Sequence, residues 1–125
     1  MMVAAGAWTV LLAFAANAGT IYVDAVNGVD DAAHTGASEQ LAKKTLQAAV
    51  DAAQTDDTVI ALPGYYDEGF AVDGNYTNRV LITKRITLKS KEKWGAHIVG
   101  AFDTASGNAV PWGPAAIRCV GSCGT

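Results

Sequence analysis

The apolar positions change period along the chain, and those changes mark the elements. From Leu41 to Gln54 the period is helical. Leu46, Ala49, Val50 and Ala53 fall at i, i+3, i+4 and i+7 and make one stripe, while Lys43, Lys44, Gln47, Asp51 and Gln54 lie largely off it. A helix this short is marginal in isolation, so its stripe must lie on an apolar surface. The flanking segments read as strands. Thr20 to Asp24 is a short β-branched and aromatic run. Thr58 to Leu62 is continuously apolar and stops at Pro63-Gly64, the pattern of a strand covered on both faces or lying at a solenoid end. Between these lies Asn27 to Ser38, rich in Gly, Asn and Asp and read as loop. Further on, the pattern predicts a loop from Tyr65 to Asn78 and strands at Arg79–Thr83 and Arg85–Lys89, with a bend near Lys84. Strands follow at His97–Ala101 and Ala115–Val120, around a Gly- and Pro-rich loop from Phe102 to Pro114. Ile60 and Ile82, and then Ile98 and Ile117, recur at a spacing that fits one turn of a solenoid, roughly 20–30 residues. The expectation is a mainly β chain with one covering helix.

The first residues stand outside this scheme. Val3 to Ala16 is an apolar run holding Trp8, Leu11, Leu12 and Phe14, with no polar face. It is too short to span a bilayer, which takes about 20 apolar residues. Ala16-Asn17-Ala18 then supplies the small-x-small pattern of a cleavage site, with Gly19 next. Residues 1–18 read as a secretory signal peptide and residues 19–125 as the exported domain, secreted or held at the cell surface. One feature departs from the signal pattern: no Lys or Arg precedes the apolar run.

Composition narrows the classes. A chain of 125 residues makes one domain at most, and with 50% apolar and 17% charged residues it is not a disordered chain. A net charge of -3 gives no electrostatic footprint for nucleic acid. The basic residues gather between Arg79 and Lys93, where apolar and polar positions alternate. That run reads first as a solvated strand face and second as a strip for a polyanion. Cys119 and Cys123 are the two cysteines. In an extended segment they would stand about 13 Å apart, too far for a disulfide. Free thiols or intermolecular pairing is therefore one reading, and a local bridge closed by a turn at Gly121-Ser122 is the other. No Gly-rich phosphate loop joins the first strand to the helix, so a β-α-β nucleotide site has no support.

Several motifs together resemble secreted bacterial proteins of the pectin-lyase-like superfamily. They are Tyr22-Val23-Asp24 followed by Gly28-x-Asp30, then Lys44-Thr45-Leu46-Gln47-Ala48-Ala49-Val50-Asp51, then Asp57-Thr58-Val59, then Pro63-Gly64-x-Tyr66. Ile86-Thr87-Leu88 and the run from Gly113 to Val120 look like later rungs. The resemblance covers about Ile21 to Val120. It implies a right-handed parallel β-helix with an N-terminal capping α-helix, of which this chain would be the cap and first rungs of a longer protein. It is specific for architecture and silent on reaction. In such proteins the catalytic residues lie several rungs further on. The implied function is a structural or glycan-binding module at the bacterial cell surface, with polysaccharide or surface glycan as partner and no catalytic residues of its own. The alternative is the N-terminal part of a polysaccharide lyase or glycoside hydrolase.

The candidate contact residues follow from their chemistry. Tyr65, Tyr66, Tyr76 and Trp94 carry rings that stack on sugars, although aromatics at loop–strand junctions are more often packing residues; Trp112 is of the same kind. Asp67, Glu68 and Asp73 bring the oxygen ligands that suit Ca²⁺, without an EF-hand pattern to organise them. Asp30-Asp31 and Asp56-Asp57 read as turn and cap carboxylates. Arg79, Arg85 and Arg118 read as strand-surface residues, and His34 and His97 as isolated. The final predicted strand, Ala115 to Val120, is apolar with one charge and no proline, so self-association through an open coil end is expected.

Overall fold

The structure, a computed structural model, describes residues 17–105 and 115–122. In chain order the elements are β1 (Thr20–Val23), a 3-10 turn (Glu39–Leu41), α1 (Leu46–Ala52), β2 (Thr58–Ala61), β3 (Gly64–Tyr66), β4 (Ala71–Asp73), β5 (Tyr76–Ile82), β6 (Thr87–Ser90), β7 (Ala96–Ile98) and β8 (Ile117–Ser122). They form three small sheets, ordered β1-β2-β6, β3-β7 and β4-β5-β8. All pairings are parallel except the β4–β5 hairpin.

The order of the strands repeats. β2, β3 and β5 are followed by β6, β7 and β8, and each later strand lies parallel beside its counterpart. Thr58 stands beside Thr87, Gly64 beside Ala96 and Thr77 beside Ile117. Parallel neighbours require a crossover of a dozen residues or more. For β1 and β2, residues 24–57 supply it and carry the helix. Between the sheets lies one core of Val23, Leu46, Ala49, Val50, Ala53, Val59, Ala61, Tyr66 and Val80.

The helical stripe behaves as its period dictates. Leu46, Ala49, Val50 and Ala53 are all buried. The helix is shorter than its periodicity, because other groups claim the backbone before Thr45. Asp24 N–H donates to Lys43 O at 2.8 Å and Lys43 N–H to Tyr22 O at 3.1 Å, so Lys43 pairs with β1 and cannot enter a helix. The Asp30 carboxylate takes Lys44 N–H at 2.7 Å, Thr45 N–H at 3.1 Å and the Thr45 hydroxyl at 2.7 Å. Thr45 Oγ1 in turn accepts Ala48 N–H at 3.2 Å as the N-cap. At the other end Lys84 Nζ donates to the carbonyls of Val50, Asp51 and Ala53 at 2.9, 3.1 and 2.6 Å. This cation closes the C-terminus, where the macrodipole favours it.

The same region covers the sheet edges on its side. Tyr22 N–H donates to Gly36 O at 2.7 Å, and with the Lys43 pair this occupies the outer edge of β1. The Gln47 side-chain amide does the equivalent for β5: Oε1 accepts Leu81 N–H at 2.8 Å and Nε2 reaches Leu81 O at 3.4 Å. The crossing of residues 24–43 is tight enough that a Cβ on Gly28 would stand 2.2 Å from Lys43 O and 2.4 Å from Asp24 O. Only glycine passes there.

Several sequence expectations need correction. The stretch expected as loop from Tyr65 to Asn78 contains the end of β3, all of β4 and the start of β5. Gly74, at φ 57°, turns the β4–β5 hairpin, so the Gly74-Asn75 pair was a hairpin signal between Val72 and Tyr76. Ile60 stands beside Lys89 rather than Ile82, and Ile117 beside Thr77 rather than Ile98. Register is set by which faces are buried and by the lengths of the connections, so the spacing of isoleucines did not report it. Arg79 is not a surface residue: it is 7% exposed, with Nε on Val99 O at 2.8 Å and a terminal nitrogen on Gly69 O at 2.7 Å. The apolar run Val3–Ala16, Trp112 and Cys123 lie outside the described residues. Among those described, no helix is long and apolar enough to cross a membrane.

Candidate functional site

The outward face of the β3–β7 pair carries the aromatic group with the best-defined geometry. Pleating sends Tyr65 and Tyr66 to opposite sides of β3. Tyr65 faces out and is 67% exposed. Parallel register sets His97 beside it, and the two rings stack with centroids 4.8 Å apart and planes inclined by 16°. Tyr66 faces the core, 2% exposed, and its hydroxyl donates to Val23 O at 2.9 Å and Leu62 O at 2.7 Å. Burial pushes that phenol up to about 12. No face of the Tyr66 ring meets solvent, so of the adjacent pair only Tyr65 presents one.

The other predicted aromatics are dispersed. Trp94, 81% exposed, lies in the turn before β7 at φ 61°, with Lys93 Nζ 5.8 Å from its ring. The next residue, Gly95, accepts Gly64 N–H at 2.9 Å, which sets Trp94 at the entry end of the β3–β7 pair. Tyr76 belongs to a different sheet. It is 59% exposed but lies beneath the Arg118 guanidinium at 4.2 Å, whose Nε donates to Asn78 Oδ1 at 2.9 Å. Arg118 therefore occupies one face of the Tyr76 ring.

The carboxylates predicted for Ca²⁺ are not brought together. Asp67 and Glu68 follow β3, and Glu68 pairs with Lys44 at 3.3 Å. Asp73 sits at the end of β4, on a separate hairpin. Among the described residues no three His, Cys, Asp or Glu side chains are grouped to hold a metal. The cleft lined by Ala25, Lys44, Tyr65, Tyr66, Asp67 and Glu68 has a volume of about 10 Å³, scarcely room for one water. The remaining polar pairs have structural roles. Asp24 accepts Val26 N–H and both the N–H and the amide of Asn27, as expected of a turn carboxylate. Asp56 forms a two-pronged pair with Arg85 at 2.6 and 2.9 Å, which holds its carboxyl below the ordinary range. His34 Nδ1 lies 2.6 Å from Asp31 Oδ1, a contact that lowers Asp31, but it lies in an exposed loop with no nucleophile bonded to it among the described residues. Cys119 is an exposed free thiol.

Sequence reasoning missed His97 as the partner of Tyr65 and Arg118 as the partner of Tyr76. Both partnerships join residues far apart in sequence through parallel register, which no local pattern encodes. No family model, curated protein or solved structure matches the chain.

Proposed function

We propose that the chain is an exported module, the entry of a right-handed parallel β-helix, that holds polysaccharide or cell-surface glycan without cleaving it. The repeated order β2-β3-β5 and β6-β7-β8, with parallel stacking at each step, supports the coil. The apolar run and small-x-small site before Gly19 support export, with the domain secreted or retained at the surface. The observation that carries the binding reading is the exposed Tyr65 ring braced by His97. A sugar ring stacks on an aromatic face whose orientation is already fixed, so little ordering cost remains at binding. Trp94 at the entry end of the same strand pair offers a second ring. Among the described residues Asp73 lies on a hairpin apart from Asp67 and Glu68, and this placement favours neither lyase nor hydrolase chemistry.

Affinity electrophoresis of the full chain in gels containing pectate, alginate or a neutral glucan tests this. Retardation is expected in at least one gel, and Tyr65→Ala should weaken it about fivefold, since loss of one stacked ring costs on the order of 1 kcal/mol. Equal retardation of wild type and Tyr65→Ala, or none in any gel, would overturn the binding reading.

A further inference from the structure

Gly19 is held at both of its backbone polar groups. Its N–H donates to Asp57 Oδ1 at 2.6 Å, and its carbonyl accepts Thr58 N–H at 2.9 Å. Asp57 is 7% exposed, and its second oxygen accepts Gln54 N–H at 2.8 Å beyond the helix end. A Cβ at position 19 would lie 3.2 Å from Asp57 Oδ1, so a larger residue would press on the carboxylate. Ala18 and Asn17, in contrast, are exposed. The residue next to the predicted cleavage site is thus the one whose nitrogen touches a buried carboxylate.

We infer that Asp57 is a receptor for a new α-amino group, and that removal of the leader at Ala18–Gly19 converts a neutral hydrogen bond into an ammonium–carboxylate latch between the start of β1 and the α1–β2 turn. The inference rests on the export reading, since it needs a leader peptidase to make the cut. Hydrolysis consumes one water. Its oxygen joins the Ala18 carbonyl carbon, leaving a carboxylate on the departing leader, and its two hydrogens complete the Gly19 nitrogen as an ammonium. That ammonium carries three donors where the amide carried one, and charge-assisted bonds are roughly twice as strong as neutral ones. The carboxylate is prepared for it: backbone N–H donation by Gln54 and by Gly19 already holds Asp57 below the ordinary range.

The charges around the latch fix its pH behaviour. Lys84 acts on Asp57 favourably and Asp56 unfavourably. Asp56 is itself engaged by Arg85. With a carboxylate against it, the Gly19 amine titrates above the usual 7.7–8.0 of an α-amino group. A group raised on folding contributes stability that is complete below its unfolded value and lost as pH climbs through its folded value.

The full chain is prepared with a protease recognition segment ending at position 18 and cut while folded, so that Gly19 becomes the first residue. Part of the cut protein is acetylated at the new amine, which restores an amide N–H at unchanged length. At pH 6 the cut protein should melt on the order of 4 °C above the acetylated one. The difference should vanish above pH 10 and in Asp57→Asn. ¹⁵N-labelled Gly19 should titrate above 8. Equal melting of the cut and acetylated forms at pH 6, or an amine titrating in the ordinary range, would overturn the latch. Mass spectrometry of exported protein tests the export reading separately: an N-terminus other than Gly19 sinks that reading while the latch result stands.

Discussion

Tyr65 and Tyr66 are chemically identical neighbours with opposite fates. Only the pleat separates them, since one faces solvent beside His97 and the other closes the core. The sequence showed two rings beside a Pro-Gly stop but not which one turned inward. That depends on the register of β3 against β7. The buried phenol also has a measurable consequence. Its ordinary value is near 10, and burial raises it to about 12 in the fold. A raised acid contributes nothing unfavourable below pH 10, then destabilises the fold as pH climbs from 10 toward 12, by on the order of 2–3 kcal/mol in full. At pH 7, Tyr66→Phe loses the bonds to Val23 O and Leu62 O and should cost about 1–2 kcal/mol. By pH 11.5 the gap should close or reverse, because phenylalanine has no proton to lose. Urea titrations of both proteins at the two pH values check this, and a gap constant with pH would contradict it.

At the scale of elements, α1 shows what periodicity reveals and what it omits. Its buried stripe was fully legible, since Leu46, Ala49, Val50 and Ala53 all lie in the core. Its boundaries were not. The Asp30 carboxylate and the backbone of Lys43 hold the residues before Thr45 in a loop that pairs with β1, and both interactions reach across 14 or more residues, beyond any helical period. Lys84, which marked a bend in the sequence, turns out to close the helix from outside it. Three variants separate these contributions. Leu46→Ala removes a fully buried side chain and should cost 2–5 kcal/mol, on the order of other leucine deletions. Lys84→Met leaves three helix carbonyls without their cation and should cost about 1–2 kcal/mol. Lys43→Ala loses only an exposed bond to Asp31 O, so its effect should stay near 0.5 kcal/mol. Thermal melts that fail to rank the three in this order would contradict the covering role of α1.

For the whole molecule the two ends of the strand stack differ. On the β1 side, residues 36–43 and the Gln47 amide satisfy the outer edges of β1 and β5. On the other side β6, β7 and β8 are each the last strand of their sheet, and among the described residues none has a further strand neighbour, although Ala101 bridges Ile117 at the start of β8. The space they frame is apolar: a hollow of about 410 Å³ lined by Leu46, Ala61, Tyr66, Ile82, Leu88 and Ile98, among others, with Val120 46% exposed at its rim. Open strand edges around an apolar hollow are a template for pairing. Were two copies to meet at that end about a two-fold axis, each open edge would lie antiparallel to an edge of the partner, and we propose this end as a self-association surface. The full chain should therefore dimerise, with a mass by light scattering that rises with concentration. Val120→Lys puts a charge where the two copies would meet and should return the protein to monomer without lowering its melting temperature, since that side chain is already half exposed. A wild-type monomer across the concentration range would show that the exposed edges are not joined, and a Val120→Lys protein that still dimerises would place the contact elsewhere.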